Sequence, residues 1–244
     1  MTSLSTADEE RLRQAFLRCR DMEATLAEQL QAYAAAGREI FPAYGNAVDR
    51  LVARLKESGG GENAPHPGEA MPDFLLPDET GRLVSLKSLL ATGPLAVMFF
   101  RGHWCPYCRL NIRAVSQAMD RIEAAGGQVV AIMPEVQAFA GQFKEEAGAR
   151  FAVLSDLDNG YALSLNLAIW LGTEMQKMMA DRQDLPTYQG NSSWMLPIPA
   201  TFVVGQDGRV KARFVDPDYR KRMAIEDLLA ALRANIRPAG GASG

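Results

Sequence analysis

Apolar residues recur every three or four positions over residues 7–57, with charged residues between them, which is typical of amphipathic helices. The first stretch of this stripe comprises Leu12, Phe16, Cys19, Leu26, Leu30 and Tyr33. The second stretch comprises Ile40, Tyr44, Val48, Leu51 and Leu55. Because Gly37 and Pro42 fall between the two stretches, the pattern predicts two helices joined as an antiparallel helical hairpin.

A stretch rich in glycine and proline, residues 58–68, follows the hairpin and has the composition of a linker. A two-helix unit cannot cover its own apolar stripe, so it must pack on the rest of the chain or on a second copy. We therefore expect a hairpin and linker over residues 1–62, a folded domain over 63–238 and a disordered tail over 239–244. Packing on a second copy predicts a homodimer with residues 7–57 in its interface.

Strand and helix patterns alternate from residue 69 onwards. The continuous apolar runs at residues 95–100 and 128–133 are typical of central strands buried on both faces. Shorter strands are predicted at residues 74–76, 82–84, 151–154, 201–204 and 209–214. Helices are predicted at residues 105–125, 135–148, 159–183 and 224–236. This order of elements predicts a three-layer α/β domain with a mixed sheet.

Composition narrows the function classes. With 26 Lys and Arg against 29 Asp and Glu, the net charge is −3, which argues against a nucleic-acid partner. The acidic N-terminus lacks the pattern of a signal peptide, and no apolar run approaches the ~18 residues of a membrane span. Three cysteines cannot form a disulfide scaffold. We expect a cytoplasmic protein without membrane contact.

The candidate chemistry lies in a Cys-x-x-Cys motif, Cys105 to Cys108, directly after a predicted buried strand. Pro106 suits the first position of a helix, which places the Cys105 sulfur at a helix N-terminus. The partial positive charge there stabilises a thiolate and lowers the pKa of the thiol. Cys108 lies on the same face of the first turn, within reach of a disulfide bond. We expect Cys105, as the more exposed sulfur, to attack a substrate and Cys108 to resolve the intermediate.

Two other interpretations of the motif are weaker. A zinc site would need a second pair of ligands, and the chain has no second cysteine pair. His103 is too close in sequence to Cys105 to complete a tetrahedron easily, so His66 is the only other histidine that could serve as a ligand. An inert buried pair does not explain the position between a buried strand and a helix. Redox chemistry, which needs neither a metal ion nor a cofactor, is the favoured interpretation.

Residues 68–236 resemble the peroxiredoxin-like proteins of the alkyl hydroperoxide reductase and thiol-specific antioxidant family, which have a thioredoxin-like fold. The segments that carry the resemblance are residues 68–74, 101–108, 156–159, 196–204 and 207–208. It implies a thioredoxin-like three-layer sandwich, preceded here by the helical hairpin. It also implies an antioxidant enzyme that reduces hydroperoxides through Cys105 and Cys108. The electron donor would be a dithiol, such as a thioredoxin or glutathione-type system.

The chain departs from that family around the first cysteine. The family has the pattern Pro-x-x-x-Thr/Ser-x-x-Cys. In this chain Met98 stands in place of the proline and Gly102 in place of the threonine, so the hydroxyl that orients peroxide is absent. Where the family places an arginine after the turn, this chain has Pro199. The Trp-Cys-x-x-Cys and Ile-Pro pieces resemble thioredoxins instead, which assigns Pro199 as a cis proline facing Cys105 and Cys108. A thiol:disulfide oxidoreductase is therefore the alternative function, followed by a redox sensor or binding module.

Further residues are candidates for supporting roles. Arg101 could supply the cation that peroxide chemistry needs, although an arginine at a strand end is usually solvated. Trp104 could shield the sulfur and form a docking surface. Glu135 could handle a proton, but an acid in the first turn of a helix is the preferred interpretation. On the helical stripe, Cys19 is expected to act as a small buried hydrophobe.

Overall fold

The computed structural model of the protein describes residues 4–235. The strands are β1 (Leu75–Pro77), β2 (Leu83–Ser85), β3 (Leu95–Phe99), β4 (Gln128–Met133), β5 (Ala152–Ser155), β6 (Ala168–Trp170), β7 (Met195–Pro197), β8 (Ala200–Val204) and β9 (Val210–Val215). The helices are α1 (Thr6–Arg20), α2 (Leu26–Ile40), α3 (Pro42–Glu57), α4 (Leu86–Leu90), α5 (Pro106–Gln117), α6 (Met119–Ala124), α7 (Gln137–Ala147), α8 (Gly160–Ser164), α9 (Thr173–Met179), α10 (Leu185–Gln189) and α11 (Ile225–Arg233), with a 3-10 turn at Leu157–Asn159. None of the helices in that range is long and apolar enough to cross a membrane. The tail predicted at residues 239–244 lies outside the described part of the chain.

A mixed sheet with the strand order β5-β4-β3-β8-β9 forms the centre of the fold. Strand β3 runs parallel to β4 and antiparallel to β8, and all its residues are buried. Alternate side chains of β3 enter different apolar clusters: Ala96 and Met98 point to one face, and Val97 and Phe99 to the other. Helices cover both faces, which confirms the predicted three-layer α/β fold with a mixed central sheet.

The N-terminal segment forms three helices, so the prediction of two helices was wrong. The break falls before α2, where the side chain of Thr25 accepts from the Glu28 N–H and the Glu28 carboxylate accepts from the Thr25 N–H. This capping box starts a new helix inside the apolar stripe. Helices α1 and α2 form the hairpin, with the rings of Phe16 and Tyr33 6.1 Å apart. Helix α3 follows the hairpin.

These helices pack on the sheet domain of their own chain. The ring of Tyr33 lies 5.3 Å from that of Tyr107 in α5, and Arg50 of α3 pairs with Glu174 of α9. Residues 58–68, predicted as a linker, form fixed turns in which Ala64 is fully buried. The apolar stripes on which the expected homodimer rested are therefore covered within the chain, and the homodimer stays a prediction.

Residues 159–183 do not form the single irregular helix that we predicted. Asn166 adopts a left-handed conformation after α8, and Gly172 has a positive φ before α9. Between these two breaks, β6 pairs with β7, with Ala168 opposite Pro197. The breaks follow from the backbone conformations at Asn166 and Gly172, which a helix interior does not accommodate.

We expect Leu30→Ala to destabilise the whole chain, because the side chain is 3% exposed and lies in an apolar cluster shared with α5. The free energy of unfolding should fall by about 2–5 kcal/mol in urea denaturation followed by circular dichroism. The matched control, Leu83→Ala, removes a side chain that is 61% exposed and should change stability by less than about 0.5 kcal/mol. Two separate transitions in the wild-type curve would contradict a shared core.

Candidate functional site

Cys105 and Cys108 lie where the chain passes from β3 into α5. Cys105 is the N-cap of that helix and Pro106 its first residue, which confirms the predicted placement. Both cysteines are free thiols, and both are buried, with exposures of 1% and 0%. The two exposures hardly differ, because residues of α1–α3 enclose the space above Cys105. Cys105 nevertheless lines a cavity that the Cys108 side chain does not reach.

The charges around Cys105 favour its thiolate. The Arg101 Nη1 lies 3.9 Å from the Cys105 sulfur, and both the thiol and the backbone N–H of Cys108 hydrogen-bond to that sulfur. Burial raises the pKa of Cys105, but the hydrogen bonds from Cys108 and the charges of Arg101 and Arg222 outweigh it and lower that pKa to about 6. Burial and the hydrogen bond to Cys105 raise the pKa of Cys108. The two sulfurs thus hold different protonation states near neutral pH.

Arg101 is buried, with an exposure of 3%, and is therefore not an ordinary solvated arginine at a strand end. Its guanidinium lies 3.8 Å from the ring centre of Tyr219 and 5.0 Å from that of Trp104. These aromatic faces stabilise a cation that has left water. Within residues 4–235, the buried Arg101 Nη2 has no hydrogen-bond partner, so its N–H groups are unsatisfied.

Arg222 is a site residue that the sequence analysis missed. Its Nη2 donates to the Cys108 sulfur at 3.4 Å. The backbone N–H of Arg101 donates to the same sulfur at 3.3 Å. Arg222 and the nearby Tyr219 belong to the segment between β9 and α11. That segment carries no periodic pattern or motif, so the sequence offers no signal for its position beside Cys108.

Glu135 was expected to be an ordinary first-turn helix acid, and that interpretation was wrong. It precedes α7, is fully buried, and accepts hydrogen bonds from the His103 backbone N–H at 2.9 Å and from the His103 Nδ1 at 3.1 Å. Burial raises the pKa of Glu135, and the hydrogen bond with His103 partly offsets the rise. Because β3 and β4 are parallel, the residues that follow them meet at the same sheet edge. The hydrogen bonds between Glu135 and His103 fix the loop that carries Cys105.

Pro199 lies in the link between β7 and β8 and is buried, but the peptide bond before it is trans. The cis proline expected from the thioredoxin resemblance is therefore wrong. The Ile198 N–H donates to the Leu167 carbonyl at 2.8 Å, and Ala200 pairs with Phe99. The chain enters β8 extended between these anchors, and trans is the lower-energy form of a peptide bond.

A cavity of about 270 Å³ opens above Cys105. Its walls come from α1–α3 as well as from the motif, and they include Phe16, Tyr33, Trp104 and Tyr107. The N-terminal helices, which the resemblance left outside the catalytic core, are thus part of the site. Trp104 lines the same cavity as Cys105, and its role in shielding the sulfur stays a prediction.

Two other expectations concern residues away from the cavity. Cys19 is buried in α1, and burial raises the pKa of its thiol, which confirms its interpretation as a small buried hydrophobe. Among residues 4–235, no three His, Cys, Asp or Glu side chains lie together as a metal-binding group.

Residues 67–213 match the AhpC/TSA family. Peroxiredoxin Q from Oryza sativa is 32% identical over 92 residues, covering 38% of this chain and 42% of that relative, so the chain spans less than half of its length. A relative from Mycobacterium tuberculosis named as a peroxiredoxin is 30% identical over 144 residues, which cover 59% of this chain and 81% of the relative. The thiol-disulfide oxidoreductase ResA of Bacillus subtilis is 23% identical over 151 residues, covering 62% of this chain and 68% of ResA.

Solved structures resemble the same part of the chain. The peroxidoxin BcpB of Mycobacterium tuberculosis superposes with a TM-score of 0.55 and 21% identity over 70% of this chain and 97% of its own. Peroxiredoxin 6 of Arenicola marina gives a TM-score of 0.55 and 15% identity over 68% of this chain and 71% of its own. At these identities the likeness shows a common thioredoxin-like fold. Since the family match spans more than half of the residues and includes the cysteine motif, the chain belongs to the AhpC/TSA family.

Proposed function

We propose that this protein is a thiol peroxidase that reduces hydroperoxides, with Cys105 as the attacking residue and Cys108 as the resolving residue. The observation that carries the proposal is the buried Arg101 guanidinium beside Cys105, together with the lowered pKa of that thiol, about 6. A thiolate is the reactive form of cysteine, and at neutral pH most of Cys105 is in that form.

The reaction balances as a two-electron oxidation of Cys105 followed by disulfide formation. The thiolate attacks the terminal oxygen of R–O–O–H, a sulfur–oxygen bond forms as the oxygen–oxygen bond breaks, and the leaving alkoxide takes up a proton. Cys105 becomes a sulfenic acid. The Cys108 sulfur then attacks the Cys105 sulfur, and water leaves as the disulfide forms. A dithiol donor restores both thiols by exchange and is itself oxidised to a disulfide.

Arg101 is suited to act on the peroxide as well as on the thiolate. Its Nη1 faces the Cys105 sulfur, while its Nη2 has no hydrogen-bond partner within the described residues. A fixed cationic donor at this position can stabilise negative charge as it moves from sulfur to the leaving oxygen. Arg101 supplies charge stabilisation in a site without the family's threonine.

The backbone explains why this chain has glycine at the threonine position. Gly102 has a φ of +145°, and a Cβ there would lie 2.5 Å from the Glu135 Oε1 and 2.4 Å from the Trp104 Nε1. A threonine side chain does not fit unless these groups move. The buried Glu135 carboxylate therefore occupies the space that the hydroxyl side chain would need.

The alternative, a thiol:disulfide oxidoreductase, is supported by the Trp-Cys-x-x-Cys motif and by the similarity to ResA. The burial of Cys105 favours the peroxidase. A disulfide on a folded protein must bring its own sulfur into contact with the attacking sulfur, and here α1–α3 stand in the way. A small hydroperoxide needs only the cavity.

We expect Cys105→Ser to lose hydroperoxide reduction, because the attacking thiolate is removed. Cys108→Ser should form the sulfenic acid but no disulfide with residue 108, so dimedone, which reacts with sulfenic acids, should label Cys105 after one equivalent of hydrogen peroxide in this variant and not in the wild type. Peroxide consumption with dithiothreitol as donor measures the effect of Cys105→Ser, and reduction of insulin disulfides measures the alternative activity. Cys19→Ser is the control and should behave as wild type. Full activity of Cys105→Ser would exclude the assignment.

The rate of Cys105 alkylation by iodoacetamide should rise with pH through about 6 and level off near pH 7, because only the thiolate reacts. An unperturbed thiol would keep rising through roughly pH 8.5. Arg101→Met should move the midpoint upward by at least about one pH unit, since a nearby cation favours the thiolate. The exposed Arg150 offers the control Arg150→Met, which should leave the midpoint unchanged. A wild-type midpoint above pH 8 would contradict the charge distribution described here.

Gly102→Thr should destabilise the protein by about 1–3 kcal/mol without raising peroxidase activity, because the new side chain meets Glu135 and Trp104. Gly208→Thr is a matched control, since Gly208 also has a positive φ, +74°, but open space around it. The difference between the two variants in urea denaturation measures the steric cost together with the larger backbone strain at φ +145°. A Gly102→Thr protein as stable as wild type and with a higher kcat/KM would show that the loop accepts the hydroxyl.

A further inference from the structure

The cavity above Cys105 has a one-sided charge. Among the described residues that line it, six are arginines and none is acidic: Arg13, Arg38, Arg101, Arg109, Arg182 and Arg220. The chain as a whole has more acidic than basic residues, 29 against 26, so composition does not explain this excess. Such a positive charge attracts a ligand of the opposite sign where it is not already paired with a carboxylate.

Most of these arginines are engaged by other groups. Four have carboxylate partners: Arg13 with Glu10, Arg38 with Asp49, Arg109 with Glu146, and Arg220 with Asp218. Arg101 is directed at Cys105. Arg182 differs, since no carboxylate within residues 4–235 pairs with it. Its guanidinium lies 5.7 Å from the ring centre of Phe41 and 5.6 Å from that of Tyr44, both of which line the cavity.

Arg182 has the features of an anion-binding residue. It is half-buried, and the faces of Phe41 and Tyr44 restrict its guanidinium. The edge of a guanidinium presents paired N–H donors that match the two oxygens of a carboxylate. A carboxylate on the ligand would therefore give Arg182 the kind of ion-pair partner that four of the other arginines lining the cavity already have.

The remaining walls fit an organic group. Phe16, Tyr33 and Val48 of the N-terminal helices face the cavity together with the aromatic residues of the motif. The volume of about 270 Å³ corresponds to about nine water molecules at ~30 Å³ each, and because the cavity is open at its mouth, a substituted benzene ring can lie partly inside it. Hydrogen peroxide alone would use a small part of this space.

We propose that the preferred substrate is an organic hydroperoxide that carries a carboxylate, with its peroxide at Cys105, its hydrocarbon part on the aromatic walls and its carboxylate on Arg182. This inference rests on the proposed peroxidase function and specifies its substrate class. The reaction is the one given above, with the leaving alkoxide protonated to an alcohol that retains the carboxylate. Arg182 binds the substrate and takes no part in the bond changes.

The test compares hydrogen peroxide, cumene hydroperoxide and para-carboxycumene hydroperoxide on the full-length protein, with dithiothreitol as donor. The kcat/KM for the carboxylated compound should exceed that for cumene hydroperoxide by at least about tenfold, an ordinary effect of one charge-assisted pair. Arg182→Gln should reduce this ratio to about one, and Arg182→Lys should retain part of it. Arg150→Gln, at a position that does not line the cavity, should leave the ratio unchanged. Added salt should lower the wild-type ratio.

A second measurement does not depend on turnover. Para-carboxycumyl alcohol, the product, should protect Cys105 from alkylation in the wild type more strongly than cumyl alcohol does, and this difference should vanish in Arg182→Gln. Circular dichroism establishes that each variant is folded.

The outcomes separate the two proposals. If the wild type reduces none of the three peroxides, the peroxidase function fails, and the substrate class fails with it. If it reduces hydrogen peroxide but does not prefer the carboxylated compound, or keeps the preference in Arg182→Gln, the inference about Arg182 is overturned while the peroxidase function stands.

Discussion

Arg101 is a cation buried at the carboxyl end of β3, and a charge removed from water costs several kcal/mol unless its surroundings compensate. The faces of Tyr219 and Trp104 supply part of that compensation, and the Cys105 sulfur adds to it once it has lost its proton. A guanidinium does not give up its charge, so the thiol adapts to it. Burial and the hydrogen bond to Cys105 raise the pKa of Cys108, whereas the hydrogen bonds from Cys108 and the charges of Arg101 and Arg222 lower the pKa of Cys105.

The N-terminal helices give this arrangement its enclosure. They lie outside residues 67–213, which match the family, yet they form much of the wall above Cys105. Without them the sulfur would face solvent, where charges act more weakly on each other. The contact between Tyr33 and Tyr107 joins these helices to the helix that begins at Cys105. Enclosure of the site and stability of the chain therefore depend on the same packing.

Local patterns were enough to predict the parts of the fold that are set by neighbouring residues. The apolar runs of β3 and β4 and the position of Cys105 before Pro106 are examples. The break before α2 could also have been predicted, since Thr25 and Glu28 form a capping-box sequence, but the apolar stripe continues across the break and concealed it.

Residues that reach the site from distant segments are different. Arg182 and Arg222 follow no periodic pattern, and only the tertiary structure brings them to the cavity and to Cys108. Glu135 is an intermediate case, because two adjacent parallel strands place the residues after them at one edge, and this rule applied to the sequence pairs Glu135 with His103.

The contact between the two sulfurs also bears on how the protein would avoid inactivation in the proposed reaction. Cys108 already touches Cys105 within one helical turn, so the disulfide forms without unwinding α5. Oxidation of Cys105 removes the negative charge that helps raise the pKa of Cys108, while Arg222 remains at 3.4 Å to favour its thiolate. In the proposed reaction, the sulfenic acid would meet a resolving thiol already in contact with it, which favours the disulfide over further oxidation to the irreversible sulfinic acid. A peroxidase built on such a centre would resist inactivation at high peroxide concentrations, as a scavenger must, where a sensor that signals by its own inactivation would not.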